Sequence, residues 1–355
     1  MLRDAGQSLW LDNITRDLIT TGTLRGYIDQ LGITGLTSNP TIFEQAIRNS
    51  NAYDGAIRER LNAGKSGEEL FFEIALEDIT AAADQFRPIH DRPSGVDGWV
   101  SLEVSPLLAR DAKTTLEVAR TLHARAGRPN LFIKIPGTSE GLPAIEEAVF
   151  AGVPVNVTLL FSPAQYVAAA EAYLRGIERR IEAGLNPCVG SVASIFISRW
   201  DVAVADKAPA ALSNALGLAI GRKAYSEYMG LIASPRWQRA FNAGARKQRL
   251  LFASTGTKDP KASDILYVKG LAAPLTVNTL PEGTLKAFAD HGTFGPMLTA
   301  DGADADAVLG EFRKAGVDLE ALAAKLQDDG AASFARSWHE LLGEIASKNE
   351  AIQGG

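Results

Sequence analysis

Cysteine is almost absent from the sequence: Cys188 is the only one, which excludes a disulfide within the chain and a zinc site built on cysteine. Histidine is scarce as well. His90, His123, His291 and His339 lie at least 33 residues apart (123 minus 90), so neither the HxxxH nor the HxH spacing of a local metal site occurs. Positive charge is in deficit, with 36 Lys and Arg against 42 Asp and Glu and a net charge of -6. Such a chain offers no basic field to a nucleic acid or an anionic membrane, although one or two local Arg or Lys can still bind a small phosphorylated ligand. No apolar run reaches the roughly 18 residues of a membrane span, and Met1 to Asn13 lacks the apolar core and cleavage site of a signal peptide. These absences lead us to expect a cytoplasmic protein with no metal, no nucleic-acid partner and no membrane partner.

What is present is a composition that buries a large core, 46% hydrophobic and 22% charged over 355 residues. Short apolar or β-branched runs alternate with longer amphipathic segments, the pattern of a parallel sheet or barrel. Eight strand candidates begin near Ser8, Gly32, Trp99, Leu131, Val153, Cys188, Arg249 and Leu275, each bounded by Gly, Pro, Asn or Ser. Eight strands favour a closed α/β barrel of the TIM type, (β/α)8. The second and sixth intervals are too long for one helix, so extra helices are expected over Thr41 to Asn62, Gly67 to Phe86, Asp201 to Ile232 and Pro235 to Arg246. The segment from Pro281 onward reads as helices alone, ending in one around Ser333 to Lys348. With no repeat and no Pro- or Ser-rich linker, the expected organisation is one barrel domain over 1–355, its helical tail, 281–355, packed on the barrel. Cys188, at the start of an apolar run, reads as a small buried hydrophobe.

In a closed parallel barrel the strands are buried on both faces, so an ionisable residue inside one is costly. Three strands carry one. In LFIKIP, period two puts Phe132 and Lys134 on one face and the two isoleucines on the other, so Lys134 points into the barrel near its carboxyl end, where active sites of this architecture lie. A buried amine there suits Schiff-base chemistry; a Lys–Glu pair kept for packing alone is the competing reading. Glu103 in SLEVS and Asp12 in WLDN add two carboxylates at strand ends, an acid/base set for carbonyl chemistry, although Asp12 or Asn13 could instead cap the following helix. Asn39 ends the second strand, where turn chemistry before Pro40 competes with a binding role. Asn156 and Thr158 share a face of the fifth strand and are expected to line one pocket, their amide and hydroxyl suited to sugar hydroxyls. Ser194 and Arg199 follow on the sixth strand and its loop, Arg199 as a phosphate fork or a plain surface residue. Ser254 to Lys258 follows the seventh strand, where barrels commonly bind phosphate, although a plain loop is the competing reading.

Four motifs in this order, TSNPTIF (Thr37 to Phe43), SLEVSP (Ser101 to Pro106), LFIKIPGTSEG (Leu131 to Gly141) and VNVTLLFS (Val155 to Ser162), resemble the transaldolases, class I aldolases on a (β/α)8 barrel. LWLDNITR at the start and FASTGTKD after the seventh strand are similar to the longer bacterial type. The resemblance implies a transferase of the non-oxidative pentose phosphate pathway with sugar-phosphate substrates, no cofactor, and a monomeric or homodimeric state. It implies that Lys134 forms the Schiff base with a ketose phosphate, fructose 6-phosphate or sedoheptulose 7-phosphate. Glu103 acts through a water held by Thr158, and Asp12 takes the C4 hydroxyl proton as the C3–C4 bond breaks. Asn39, Asn156 and Ser194 hold the dihydroxyacetone unit until erythrose 4-phosphate or glyceraldehyde 3-phosphate accepts it. Arg199 matches a phosphate-binding arginine; a second one, common in shorter relatives, is replaced here by Gly256, leaving Ser254 or Lys258 to serve. The alternatives are a free aldolase that releases the fragment, and a barrel that binds sugar phosphates without turnover. Transaldolase-like segments also occur ahead of an isomerase part; none follows here, and no isomerase activity is expected.

Overall fold

A computed structural model of the chain describes residues 2, 4–92, 95–293 and 295–353. Eight strands, β1 (Ser8–Asp12), β2 (Gly35–Thr37), β3 (Trp99–Glu103), β4 (Leu131–Pro136), β5 (Val155–Leu160), β6 (Ser191–Phe196), β7 (Gln248–Ala253) and β8 (Val277–Leu280), pair in parallel in sequence order and close into a barrel. All eight expected strands are found, with starts displaced by at most three residues. The expected helix over Thr41 to Asn62 is two, Pro40–Asn49 and Asp54–Asn62, and the last helix begins at Leu319, well before Ser333. Its Leu, Phe and Trp positions are spread over many turns, which hid its start in an Ala-rich stretch of weak periodicity. Cys188 is a correction of another kind: it precedes β6 and is exposed.

The strands form because their β-branched and aromatic side chains are buried on both faces. Ile133 and Ile135 are fully buried, each worth about 1.5 to 3 kcal/mol. On the opposite face of β4, Phe132 stacks on Trp99 at 4.0 Å and 10° and lies 6.2 Å from Trp10, filling the barrel beneath Lys134. The two indoles need space that only glycine leaves. A Cβ on Gly35, in register with both Trp10 and Trp99, would fall 2.6 Å from the Trp10 ring, and one on Gly190 would fall 2.6 Å from Trp99. At this same amino end β7 carries a buried charge that the sequence reading passed over. Arg249 donates to Asp97 (3.0 Å), Ser8 (2.6 Å) and the Thr276 carbonyl (2.7 Å), closing the seam between β7, β8 and β1.

The last helix, Leu319–Gln353, lies against Pro40–Asn49, Asp54–Asn62 and the end of β5. Trp338 is 1% exposed and meets Phe71 edge-on at 5.0 Å and Phe72 at 5.6 Å. Among the described residues no helix is long and apolar enough to cross a membrane. We propose that the helix and barrel unfold as one unit. Trp338→Ala should then cost about 3 to 5 kcal/mol in urea unfolding with a single transition, whereas a loss below about 1 kcal/mol would show that the helix lies outside it.

Candidate active site

Register brings the polar residues of three strands side by side at the carboxyl end: Glu103 opposes Lys134, and Lys134 opposes Asn156. The Lys134 ammonium lies 3.0 Å from Glu103 Oε2 and donates to the Ser38 carbonyl at 3.0 Å, with both side chains almost fully buried. Asp12, the last residue of β1, accepts from the Thr37 hydroxyl at 2.7 Å, and Thr37 in turn meets Thr279 at 2.7 Å. With the Thr37 proton given to an ionised Asp12, Thr279 is the donor in that second contact. The helix-capping alternative for Asp12 does not hold, since the first helix, Arg16–Thr20, is capped by Thr15. Burial pushes both the Asp12 and the Glu103 carboxyls above the ordinary range, opposed by the Lys134 charge.

Above the amine is a cavity of about 210 Å³. Among the expected residues, Asp12, Asn39, Lys134, Thr158, Ser194, Arg199, Ser254 and Lys258 line it. Two do not. Glu103 reaches the site through Lys134, and Asn156, the register partner of Lys134, is fully buried between Ser101 and Ser194. Its Oδ1 accepts from Ser194 at 2.7 Å and its amide donates to Ser101 at 3.1 Å, so it orients Ser194. The Oδ1 of Asn39 caps the helix Pro40–Asn49 at the Ile42 amide, and the residue also lines the cavity. Ser254 holds a left-handed φ of 55°, a strained conformation kept by hydrogen bonds to Ser198.

Sequence reasoning missed Thr37, Thr279, Phe196 and Phe334 on the cavity wall. Phe196 had a signal, being two residues from Ser194 on the same strand face. Phe334 had none, because it arrives from a helix distant in sequence. Arg199 lies beside these two rings, 5.2 Å from the Phe196 centroid and 5.9 Å from that of Phe334. Desolvation lowers its pKa from the ordinary value, and neither Arg199 nor Lys258 makes an ion pair among the described residues. The two therefore offer uncommitted positive charge at one side of the cavity, as a phosphate site requires. Thr158 Oγ1 and Glu103 Oε1 are buried with no hydrogen-bond partner among the described residues.

A buried amine beside two carboxylates, at the carboxyl end of a (β/α)8 barrel and under a small polar cavity, has the parts of a Schiff-base enzyme. The family model for transaldolase/fructose-6-phosphate aldolase matches residues 9–345. The chain is 45% identical to a transaldolase of Thermobifida fusca over 98% of its own length and 97% of that protein. It is 43% identical to a transaldolase of Frankia alni (98% and 96%) and 38% identical to transaldolase 2 of Nostoc punctiforme (98% and 96%). The chain belongs to the transaldolase/fructose-6-phosphate aldolase family, and its activity is that of a transaldolase, a transferase.

The raised pKa of Asp12 has a consequence for stability. A carboxyl whose pKa is higher in the folded than in the unfolded state favours folding below the unfolded value, and that contribution is lost as pH rises through the folded value. At neutral pH the ionised Asp12 therefore costs stability, while Asn in its place keeps an acceptor for Thr37. Asp12→Asn should raise Tm by a few degrees near pH 7, the gain shrinking toward the ordinary Asp value of 3.8. Equal Tm differences across that range by calorimetry would contradict it.

Proposed function

We propose that the cavity binds a ketose phosphate with its C2 carbonyl at Lys134 and its phosphate between Arg199, Lys258 and Ser254. The Lys134 amine, deprotonated with Glu103 as proton acceptor, adds to C2, and loss of water gives the protonated imine. Glu103 and Thr158 move these protons through the water that their two orphaned oxygens would share. Asp12 takes the C4 hydroxyl proton while the C3–C4 bond breaks, the electron pair passing into the imine and an aldose phosphate leaving. Thr37 and Thr279 fix the direction of the Asp12 carboxylate.

The three-carbon enamine stays on Lys134, held by Asn39 and by Ser194, with Asn156 behind it. An aldose phosphate, erythrose 4-phosphate or glyceraldehyde 3-phosphate, accepts it at its carbonyl carbon, Asp12 returns the proton, and water releases the new ketose phosphate. The protein supplies the electron sink itself as an imine, so the residues at the site suffice for every step. Such an exchange belongs to the non-oxidative pentose phosphate pathway, and we place it in the cytoplasm because its phosphorylated substrates do not cross membranes unaided.

The observation that carries this reading is the Lys134 ammonium within 3.0 Å of Glu103 at the floor of a cavity that also holds Arg199 and Lys258, two cations without an ion pair among the described residues. The phosphate assignment has its own test. Arg199→Ala should raise KM for fructose 6-phosphate on the order of 10- to 100-fold, with a much smaller effect on unphosphorylated fructose as donor. Equal effects on both would remove Arg199 from the phosphate site.

A further inference from the structure

The last helix reaches the reactive amine itself. Phe334 is 5% exposed, with its ring centroid 5.9 Å from Lys134 Nζ, 200 residues away (334 minus 134). The helix is fixed over the barrel mouth by one face. Gln327 donates to the carbonyls of Gly137 (3.1 Å) and Leu159 (2.9 Å), just beyond β4 and near the end of β5. Leu159 has a φ of 58° at a register shift in β5, a costly conformation for a branched side chain, and Gln327 is bonded to its carbonyl. One turn further on, a Cβ on Gly330 would lie 3.1 Å from Leu159 and 3.3 Å from the Arg199 guanidinium, so the helix backbone is pressed against the site. Ser337 closes the contact at 2.8 Å from the Thr41 hydroxyl.

From this geometry we infer that Phe334 is a specificity-determining residue: it roofs the lysine-bound fragment against water and thereby sets transfer over release. The inference rests on the Schiff-base reading above. Release requires protonation of the enamine carbon C3, then addition of one water to the imine carbon C2, and collapse that expels the Lys134 amine and yields free dihydroxyacetone. Transfer uses the same C3 electron pair to form a carbon–carbon bond with the acceptor aldehyde. Hydrolysis of the imine at C2 ends both routes, so the step peculiar to release is protonation of C3, with a proton that comes from solvent. An apolar ring packed against Phe196 at 6.5 Å, with Arg199 beside it, occupies the approach from which solvent would enter.

The test is the partition ratio, free dihydroxyacetone over sedoheptulose 7-phosphate, with fructose 6-phosphate and erythrose 4-phosphate supplied to the full-length enzyme. A ratio is independent of how much of a variant is folded. Phe334→Ala should raise it about tenfold, Phe334→Leu less, and Gln327→Ala, which loosens the same helix, should move it in the same direction. If Phe334→Ala yields no active protein, the Leu and Gln327 variants decide. An unchanged ratio at a reduced rate in the active variants would assign Phe334 a purely structural role and overturn the inference. Lys134→Met in the same assay separates the two levels. Loss of both products is the expected result, and persistence of either would sink the Schiff-base reading rather than the role of Phe334.

Discussion

Everything at the site depends on holding one ammonium and two carboxylates out of water at the end of a barrel. Removing such charges from solvent costs several kcal/mol per ion, and the attraction between Lys134 and Glu103 recovers this only with good geometry. The strands provide that geometry. Glu103 and Lys134 are register partners, so the spacing of two hydrogen-bonded strands, rather than side-chain flexibility, sets their 3.0 Å contact. The third charge, Asp12, makes no ion pair among the described residues and is steadied instead by the Thr37 hydroxyl, with Thr279 behind it. This explains how burial can raise its pKa despite the nearby amine. Around the reactive amine two carboxylates thus share one ammonium, which suits a mechanism that repeatedly takes and returns protons.

Such an arrangement needs rigid support from below and cover from above. Below, Trp10, Trp99 and Phe132 fill the barrel, with glycines at 35 and 190 admitting the indoles. Arg249 spends its hydrogen bonds on closing the amino end and makes no contact with the site, so the two buried cations of the barrel have opposite uses. Above, the last helix contributes Phe334 and Gln327 at the mouth and Trp338 to the packing beside it. The long tail and the reaction chamber are therefore built from shared residues.

Most of the fold was legible because a closed parallel barrel leaves a strong trace. Its strands are apolar on both faces, so each appears as a short run between Gly, Pro or Asn, and a charge inside one stands out. Lys134 and Glu103 were visible for that reason, and Asp12 by its place at a strand end. Period two put Asn156 and Thr158 on one face of β5, and of the two only Thr158 lines the cavity. Facing inward does not decide whether a side chain reaches the cavity, since that depends on depth along the barrel and on what its neighbours, here Ser101 and Ser194, demand of it. Arg249 sits in a strand as Lys134 does, and only its carbonyl and carboxylate partners, distant in sequence, reveal it as structural. Phe334 was invisible because a local pattern carries no information about which barrel opening a helix will cover.

The central claim is that Lys134 becomes covalently bound to the substrate and keeps three of its carbons. Borohydride reduction in the presence of fructose 6-phosphate without acceptor, followed by intact and peptide mass spectrometry, tests it directly. The expected result is a single adduct with the mass of a reduced dihydroxyacetone unit on the peptide that contains Lys134. An unmodified Lys134 in enzyme that is turning over, or an adduct on another lysine, would contradict it.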